Sequence, residues 1–399
     1  MSTIQLVSAT GLAAVCLLLS APNLVVLACL LRRRERRALV RPGESEVPRL
    51  LFLVPAHDEE LLVGETVRSL LSQDYPANAL RVVVIADNCT DRTAEVARRG
   101  GAECLERFDP VNRGKPRALA WAIERCPPAD VDAVVIIDAD TIVDSNFAAA
   151  LLPYAPLRDC AVQAYFGTLN EWETWVTRLA GVLARGRYEV LYPLKARGGL
   201  SCPLLGNGMC IGSGLLPNGW DAFSLTENWE LYARYVAAGV PIRYAGAAKL
   251  RSQEARSLRQ AQTQRHRWLA GRLGVFKTWT RPILASRNAS ALQKLDALAE
   301  LGGPSPALHL AIAVVVAGLA ALVLPRGAAA VIAGAALLSL LSQCVTTVLV
   351  LLRHPQPLVT TLALAMLPGY VVWRSFLALR TMLGSGPRSW DKTHHHEVS

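Results

Sequence analysis

The first 31 residues of this 399-residue chain contain no Asp, Glu, Lys or Arg. Three further uncharged runs occur later, at residues 301–325, 327–352 and 355–373. A helix needs about 20 apolar residues to cross the hydrocarbon core of a bilayer, so we expect the first two of these later runs to be membrane spans. The third run is a marginal candidate, because it contains Pro368 and Gly369 and is followed by Arg374.

A secretory signal peptide places a basic segment before its apolar stretch, and this sequence has none there. The basic cluster RRRERR, residues 32–37, follows the apolar stretch instead, which predicts an uncleaved anchor. Because the cytoplasmic flanks of membrane spans are enriched in Lys and Arg, we expect the soluble part of the chain to face the cytoplasm. The sequence therefore predicts a multi-pass protein of the plasma or inner membrane.

Three common site signatures are missing as well. The nine cysteines form no CxxC pair and no zinc-type spacing, which indicates unpaired thiols in a reducing compartment. No Gly-x-Gly-x-x-Gly follows the first predicted strand, which argues against a dinucleotide site. The net charge of +10 comes without a Lys/Arg stripe interleaved with aromatics, so we expect contact with the lipid bilayer and not with nucleic acid.

Between its apolar ends the chain alternates strand and helix patterns. Strands are predicted near residues 49–56, 81–87, 103–108 and 132–138, and helices at 58–73, from about 91, and at 114–125. Such alternation predicts an α/β domain with a mostly parallel sheet and helices on both faces. The first of these helices is expected to bury Leu61, Leu62, Leu70 and Leu71.

Acidic side chains stand at the ends of three predicted strands. Asp58 and Glu59 follow the first strand, Asp87 ends the second, and Asp138 and Asp140 follow the strand DAVVIID. In parallel sheets ligands bind at the carboxyl ends of the strands. The spacing of the last two lets their carboxylates flank one Mg²⁺ or Mn²⁺, which would also take substrate phosphates. A solvated turn is the alternative.

Four later segments carry polar groups whose roles the residues alone leave open. Lys115 either places positive charge near a phosphate or begins an exposed helix. The pattern of residues 171–195 predicts an amphipathic helix. This helix either lies on a membrane surface or packs against the rest of the domain. Six glycines between residues 198 and 214 allow close backbone approach to a ligand or form a mobile linker. Gln264 and Arg267 share one face of a predicted helix. That face either contacts a ligand or belongs to an exposed basic helix near a membrane.

The ordered segments VPAHDEE, IADNCTDRTAE, NRGKPRAL, DAD, GNGMC, TEN and QRHRW resemble the membrane-bound family 2 glycosyltransferases, the group that includes cellulose, chitin and hyaluronan synthases. The resemblance covers roughly residues 50 to 270. It implies a Rossmann-like GT-A fold and inverting transfer from a nucleotide-diphosphate sugar, usually a UDP-sugar. A divalent cation, Mg²⁺ or Mn²⁺, is the implied cofactor.

The resemblance assigns roles residue by residue. It implies that His57 and Glu59 lie beside the nucleoside, that Asp87 bonds the base, and that Lys115 contacts the nucleotide. It implies that a D-x-D pair holds the metal and the diphosphate, namely Asp138 and Asp140.

On the acceptor side the resemblance implies a loop and a helix motif. The loop consists of Gly206, Asn207 and Gly208. The helix carries the Q-x-x-R-W motif, which in the family shields the diphosphate and borders the acceptor, and its residues here are Gln264, Arg267 and Trp268. Trp390 and Thr393 look like the tryptophan–threonine tail found near the active site in several members.

One position departs from the family pattern. The family usually has Thr-Glu-Asp, with the Asp as general base, where this chain has Thr226, Glu227 and Asn228. An amide cannot take a proton, so Glu227 or Glu230 is expected to act instead, with Asn228 positioning the acceptor. We count Asp140 with Glu227 and Asn228 as the catalytic residues.

The resulting expectation is a transferase that acts on a lipid or saccharide acceptor at the cytoplasmic face, with oligomerisation left open. The alternative is a catalytically inactive homologue that serves as a membrane scaffold. The expected domains are an anchor with a basic flank at 1–45, a GT-A domain at 46–270, an interfacial linker at 271–300, membrane or interfacial helices at 301–383 and a tail at 384–399.

Overall fold

The computed structural model describes residues 2–32 and 47–383. Most of the predicted basic flank and the tail with Trp390 and Thr393 lie outside the described residues. The strands are β1 Leu50–Ala56, β2 Leu80–Asp87, β3 Glu103–Arg107, β4 Ala133–Ile136, β5 Thr141–Val143, β6 Ala161–Thr168, β7 Met209–Gly212 and β8 Ile242–Ser252.

The helices before the last strand are α1 Thr3–Leu19, α2 Ala21–Leu31, α3 Val63–Leu71, α4 Thr93–Arg99, α5 Lys115–Arg125, α6 Trp175–Arg185, α7 Tyr192–Arg197 and α8 Glu227–Ala238. Those after it are α9 Leu258–Ala285, α10 Ala291–Gly302, α11 Pro306–Val323, α12 Arg326–Leu338, α13 Leu341–Arg353, α14 Pro357–Leu364 and α15 Leu367–Met382. A π-helical turn, Gly186–Leu191, joins α6 to α7.

The eight strands form one sheet in the order β3-β2-β1-β4-β7-β6-β8-β5. The first four strands are parallel, as predicted. The other half is mixed, because β7 runs antiparallel to β4 and β6, and β5 runs antiparallel to β8. β7 enters the sheet from the glycine-containing loop at the carboxyl edge of β4, so it runs opposite to the strands that end there. The expected mostly parallel sheet therefore describes only the first half.

Apolar side chains cover both faces of the parallel half. In β1, Leu51 and Leu53 belong to the core shared with α5, α8, α9 and α10, whereas Leu50 and Phe52 belong to the core shared with α3 and α4. Successive side chains of a strand point to opposite faces, so a strand that is apolar at every position is buried on both faces. This burial fixes where the strand ends lie.

The helix expected at residues 58–73 is shorter than predicted. It begins at Val63, and its buried face carries Val63, Val67 and Leu70 at positions i, i+4 and i+7. Leu61 is 55% exposed and Leu71 is 45% exposed, so the prediction that both are buried is wrong. Leu61 lies in the turn before α3, so the helical spacing does not apply to it. Leu71 follows Leu70, the last residue of the buried face, and is rotated about 100° away from it around the helix axis.

The segment expected as one amphipathic helix at 171–195 is divided between α6, the π-helical turn and α7. α6 buries Val176, Leu179 and Val182 and packs against β6, α13 and α14. Of the two interpretations that the sequence left open, the packed helix fits this arrangement.

Residues 271–300, expected as a linker, form the second half of α9 and most of α10. Val275, Ile283 and Ala297 belong to the same core as Leu51 and Leu53 of β1. A buried ion cluster adds to this packing, since Lys195 Nζ of α7 lies 2.9 Å from an Asp296 carboxylate oxygen and 2.6 Å from one of Glu300.

By length and composition, α11 is apolar enough to cross a membrane. Three other helix pairs meet the same criterion only if each bent pair counts as a single span: α1 with α2, bent by 42°, α12 with α13, by 41°, and α14 with α15, by 50°. Residues 2–32 and 47–383 therefore contain one candidate span, or up to four.

Candidate functional site

The turn after β4 carries the two predicted metal ligands. Thr66 of α3 holds this turn, because its hydroxyl donates to the Ala139 carbonyl at 2.7 Å and accepts from the Thr141 amide at 3.2 Å. Asp138 remains 39% exposed at its side chain, and the Asp140 carboxylate accepts a 3.2 Å hydrogen bond from the Thr141 hydroxyl. The two carboxylates thus lie on a turn that is fixed from beneath.

Lys115 is the cation beside Asp138. It is the first residue of α5, and its Nζ bonds the Asp138 carboxylate and, at 2.5 Å, the Gly206 carbonyl. Lys115 therefore lies beside the D-x-D turn, and its implied contact with the nucleotide stays a prediction. The same ammonium also ties the glycine-containing loop to the carboxyl edge of the sheet.

Asn207 supports the acidic turn from inside the protein. Its side-chain Oδ1 accepts from the Asp138 backbone amide at 3.2 Å, and its side-chain Nδ2 donates to the Thr141 hydroxyl at 2.8 Å. Asn207 is only 4% exposed. This geometry makes Asn207 a residue that positions the D-x-D turn, where the resemblance implied a place in an acceptor-side loop.

Gln163 and Thr141 belong to the same network and were not predicted. Gln163 is fully buried in β6, and its side chain donates to the Asn207 carbonyl at 2.9 Å and accepts from the Leu205 amide at 3.0 Å. The signal available in the sequence was a lone amide inside the apolar run AVQAYF, since buried polar side chains are normally hydrogen-bonded.

Two glycines of the loop have different tasks. Gly206 has φ +86°, and a Cβ there would lie 3.8 Å from both the Glu227 Oε1 and the Lys115 Nζ. Gly208 has φ +69°, and a Cβ there would overlap Leu250. Both positions favour glycine because positive φ strains other residues, but only Gly206 contacts the charged groups of the site.

Glu227, at the start of α8, is the buried acid of the site. It is 7% exposed, and its burial raises the pKa of its carboxyl group, an effect that Lys115 and Arg267 oppose and Asp138 reinforces. A buried carboxyl group whose pKa is raised beside charged partners is typical of a functional site. Glu227 therefore joins the D-x-D turn, Lys115 and Arg267 in one cluster, which we call the donor edge: Asp138, Asp140, Lys115, Glu227 and Arg267.

Glu230, the other candidate base, is engaged elsewhere. One carboxylate oxygen lies 3.0 Å from an Arg234 guanidinium nitrogen, and the other accepts from the Ser224 amide at 2.9 Å. Asn228 donates its amide to the Leu204 carbonyl at 2.8 Å. Of the residues in the first turn of α8, Glu227 is thus the carboxylate that faces Lys115.

The predicted nucleoside-binding residues converge on a second network. Asp87 Oδ1 accepts from Arg107 at 2.6 Å and from the Asn88 amide at 2.9 Å, and the Asp87 carbonyl lies 2.7 Å from His57 Nδ1. Arg107, with its side chain 5% exposed, was not predicted as part of the site. Arg107 orients the Asp87 carboxylate. The implied contact of Asp87 with the base stays a prediction.

His57, Asp58 and Cys89 form a second group in this region. One ligand-type atom from each lies within 4.8 Å of the others, as a metal site would require. Asp58 also accepts from the Thr90 amide at 2.6 Å, and the backbone amide of Glu59 donates to the Thr93 hydroxyl at 2.7 Å. These bonds already account for the shape of the turn after β1, where the resemblance implied contacts from His57 and Glu59 to the nucleoside.

The Q-x-x-R-W motif lies on α9 beside the start of α8. Gly271 of α9 packs directly against Thr226, so that a Cβ at Gly271 would overlap it. This close packing brings Arg267 within electrostatic range of Glu227. Trp268 is 37% exposed, and the Arg265 guanidinium lies 4.8 Å from the centre of its ring. Gln264 is half-buried on the same helix.

The donor set of the D-x-D turn fits a divalent cation. Two carboxylates on one fixed turn, one of them exposed, offer the oxygen ligands that Mg²⁺ and Mn²⁺ accept. Lys115 partly neutralises Asp138. With Asp140 and Glu227 close by, the residues of the donor edge still contain more acids than bases, which favours a bound cation.

Comparison with known proteins assigns the chain to a family of enzymes. The family model for glycosyltransferase like family 2 matches residues 48–271, and the chain belongs to that family. The donor edge lies within the matched region.

Three curated relatives show how far the similarity extends. The chain is 26% identical over 249 residues to a probable glycosyltransferase, YdaM, of Bacillus subtilis, covering 58% of this chain and 57% of that protein. It is 24% identical over 261 residues to the beta-monoglucosyldiacylglycerol synthase of a Nostoc species, covering 59% and 54%. It is 32% identical over 114 residues to the poly-beta-1,6-N-acetyl-D-glucosamine synthase of Staphylococcus epidermidis, covering 28% and 26%. The matches therefore span at most little more than half of these relatives.

Among solved structures, the chain resembles the mannosyltransferase PcManGT from Pyrobaculum calidifontis, which was solved in complex with GDP-Man and Mn²⁺. The TM-score is 0.61 at 22% identity, and the superposition covers 94% of this chain and 98% of that one. The likeness extends over the helices at both ends, so the GT-A fold is shared together with the helices around it.

Proposed function

We propose that this protein is a membrane-bound, inverting glycosyltransferase that moves a sugar from a nucleotide-diphosphate sugar to a lipid or saccharide acceptor. The observation that carries the proposal is the donor edge, where Asp138, Lys115 and Glu227 meet around Gly206. Acids, a fixed ammonium and a buried carboxyl group at the carboxyl end of a parallel sheet are what binding and transfer of a diphosphate-linked sugar need.

On the donor side, Lys115 and Arg267 provide positive charge for the diphosphate. Charge develops on the leaving diphosphate in the transition state, so groups fixed beforehand lower the barrier. Asp138 and Asp140 would hold the divalent cation, which would neutralise the diphosphate as a Lewis acid. The resemblance implies a UDP-sugar, whereas the structurally similar PcManGT was solved with GDP-Man and Mn²⁺.

On the acceptor side, Glu227 takes the proton from the attacking hydroxyl. The acceptor oxygen forms its bond to the anomeric carbon from the face opposite the diphosphate, the bond to the diphosphate oxygen breaks, and the configuration inverts. The raised pKa of Glu227 brings it closer to the value that suits a general base near neutral pH. Glu230 is less suited, because Arg234 and the Ser224 amide already bond its carboxylate.

The membrane placement is part of the proposal. α11 and the three bent helix pairs would cross the membrane, with the catalytic domain on the cytoplasmic face. The uncharged runs and the basic residues after the first of them support this topology.

Incubation of the full-length protein with radiolabelled UDP- and GDP-sugars, followed by extraction of lipids and of polymer, tests the proposal. We expect one labelled product that disappears with a chelator and returns with Mn²⁺ or Mg²⁺. Absence of a product from every donor, in membranes where the protein is folded, would contradict it.

The second candidate is an inactive scaffold, and Asn228 is the observation that favours it. The same assay separates the two functions, provided that donor binding is measured as well. A scaffold would release neither nucleotide diphosphate nor labelled product, whatever donor or metal is supplied.

A further inference from the structure

Three arginines from distant parts of the chain come together beside α9. Arg272 of α9 interacts electrostatically with Arg187 of the π-helical turn and with Arg374 of α15. We call these three residues the arginine cluster. Like charges repel, so such a grouping is unfavourable unless anions balance it.

The carboxylates around the arginine cluster do not balance it. Glu300 interacts with both Arg187 and Arg272, but its carboxylate is already held by Lys195 at 2.6 Å. Lys195 is shared with Asp296 at 2.9 Å. Within residues 2–32 and 47–383, Lys195 and the three arginines therefore face two carboxylates, which leaves about two positive charges in excess.

One hydrogen-bond donor of the arginine cluster remains available. Arg374 Nη1 is buried and has no hydrogen-bond partner within the described residues. Arg272 donates to two backbone carbonyls, Glu300 at 3.1 Å and Gly303 at 2.8 Å, which fix its guanidinium without neutralising it. Arg187 bonds Tyr188, interacts with Glu300 and is exposed to solvent. A buried donor without a partner costs about 1–3 kcal/mol, so a ligand that accepts hydrogen bonds would be favoured here.

The position of the arginine cluster points to a lipid. Gly303 lies three residues before Pro306, where the candidate span α11 begins, and Arg374 lies on α15, half of a bent candidate span. Tyr370 and Trp373 of α15 pack together, with ring centres 5.5 Å apart, and such aromatic side chains are enriched at membrane–water interfaces. An anion bound here would lie at the level of lipid head groups.

We propose that the arginine cluster binds the phosphate or diphosphate group of the acceptor, which is a lipid whose phosphate carries a polyol or sugar with the reacting hydroxyl. This inference rests on the proposed function. Gly271, the residue before Arg272, packs against Thr226, the residue before Glu227, so Arg272 and Glu227 both adjoin the contact between α8 and α9. A lipid phosphate at the arginine cluster would therefore leave the sugar or polyol of the same lipid close to Glu227.

Lipid retention by the full-length protein in nanodiscs tests the inference. The probes are phosphatidylinositol, which carries a polyol on a phosphate, a neutral glucosyl-diacylglycerol, and phosphatidylserine as an anionic lipid without a polyol. We expect phosphatidylinositol to be retained at least tenfold more strongly than either of the other two. Arg187→Gln and Arg374→Gln should each abolish this preference while binding of the nucleotide sugar is unchanged.

Arg380→Gln provides the matched control, because Arg380 lies exposed on the same helix as Arg374 and should leave the preference intact. Since Arg187 is exposed, its substitution also addresses the case in which Arg374→Gln fails to fold. Equal retention of phosphatidylserine would indicate general surface charge and overturn the inference, as would equal retention of the neutral lipid.

An arginine-dependent affinity for inorganic pyrophosphate without lipid preference would assign the cluster to a soluble anion and likewise overturn the inference. Failure of the proposed function would give a different result, because the wild-type protein would then bind no nucleotide sugar in the presence of any of these lipids.

Discussion

The donor edge and the arginine cluster contain opposite excesses of charge. At the donor edge three carboxylates, Asp138, Asp140 and Glu227, meet two cations, whereas around the arginine cluster four cations meet two carboxylates. The donor edge joins the turn after β4 to residues of α5, α8 and α9, whereas the residues of the arginine cluster lie on the π-helical turn, α9 and α15. The contrast underlies both proposals, a divalent cation between the donor edge and an anionic donor, and an anion bound directly at the arginine cluster.

The largest effect is expected at the acids of the donor edge. Asp138→Asn and Asp140→Asn should each lower transfer by about 10³-fold or more, because the charge on the leaving diphosphate would lose its stabilisation. Transfer and thermal unfolding are measured together, since both variants should stay folded.

Asp144→Asn is the control for these two variants. Asp144 follows β5, the next strand along the chain, and pairs with Arg251 at 2.9 Å, away from the donor edge, so transfer should change little. If Asp138→Asn or Asp140→Asn kept near wild-type activity, the metal assignment would be wrong.

Glu227→Gln should lower transfer by about 10² to 10⁴-fold, the usual contribution of a general base, with nucleotide-sugar binding retained. Glu230→Gln should keep most activity and lose only stability, since it breaks the contact with Arg234. A larger loss of transfer in Glu230→Gln than in Glu227→Gln would reassign the base.

The pH dependence follows from the raised pKa of Glu227. A base acts when it is deprotonated, so the rate should rise as pH passes through that pKa, and Glu227→Gln should remove this limb. Because the folded chain holds this proton more tightly than the unfolded chain, the associated stability is full below the ordinary Glu pKa of about 4.3 and is lost as pH rises through the raised value. Thermal unfolding of both proteins across this pH range measures the difference.

Arg267→Ala and Trp268→Ala should each lower transfer by about 10²-fold, through loss of positive charge beside the diphosphate and of the surface next to it. Arg265 lies on a different face of α9 from Arg267, but it stacks on Trp268 and bonds Glu254 at 2.7 Å. Arg265→Ala therefore cannot serve as a neutral control. Lys277→Ala can serve as the control, because Lys277 is exposed on the same helix. Equal losses of transfer in all of these variants would indicate that α9 has only a structural role.

The smallest effect is expected from Asn228→Asp. The new carboxylate would lose the 2.8 Å hydrogen bond to the Leu204 carbonyl and add negative charge next to Glu227, which should cost about 1 kcal/mol of stability and keep transfer within about tenfold. An increase of 100-fold or more would show that the natural chain lacks its base, in favour of the scaffold.

Much of the donor half was predictable because its signals are local. Apolar runs such as RLLFLVPA and RVVVIAD predicted β1 and β2, and the rule for strand ends placed Asp138, Asp87 and His57 at one edge. Lys115 was predicted from its motif alone. Arg107 and Gln163 were missed, since their importance lies in partners far along the chain, such as Asp87 and Asn207.

Local sequence patterns suffice to predict the parallel half of the sheet, the acids at its carboxyl edge and the apolar helices, because apolar runs and their lengths are properties of neighbouring residues. Tertiary packing was needed to show that Glu227 and not Glu230 faces Lys115, that β7 reverses direction, and that residues 271–300 pack into the core. The convergence of Arg187, Arg272 and Arg374 also comes from this packing. Each of these outcomes depends on how elements separated by tens to hundreds of residues pack against one another, and no local periodicity encodes that packing.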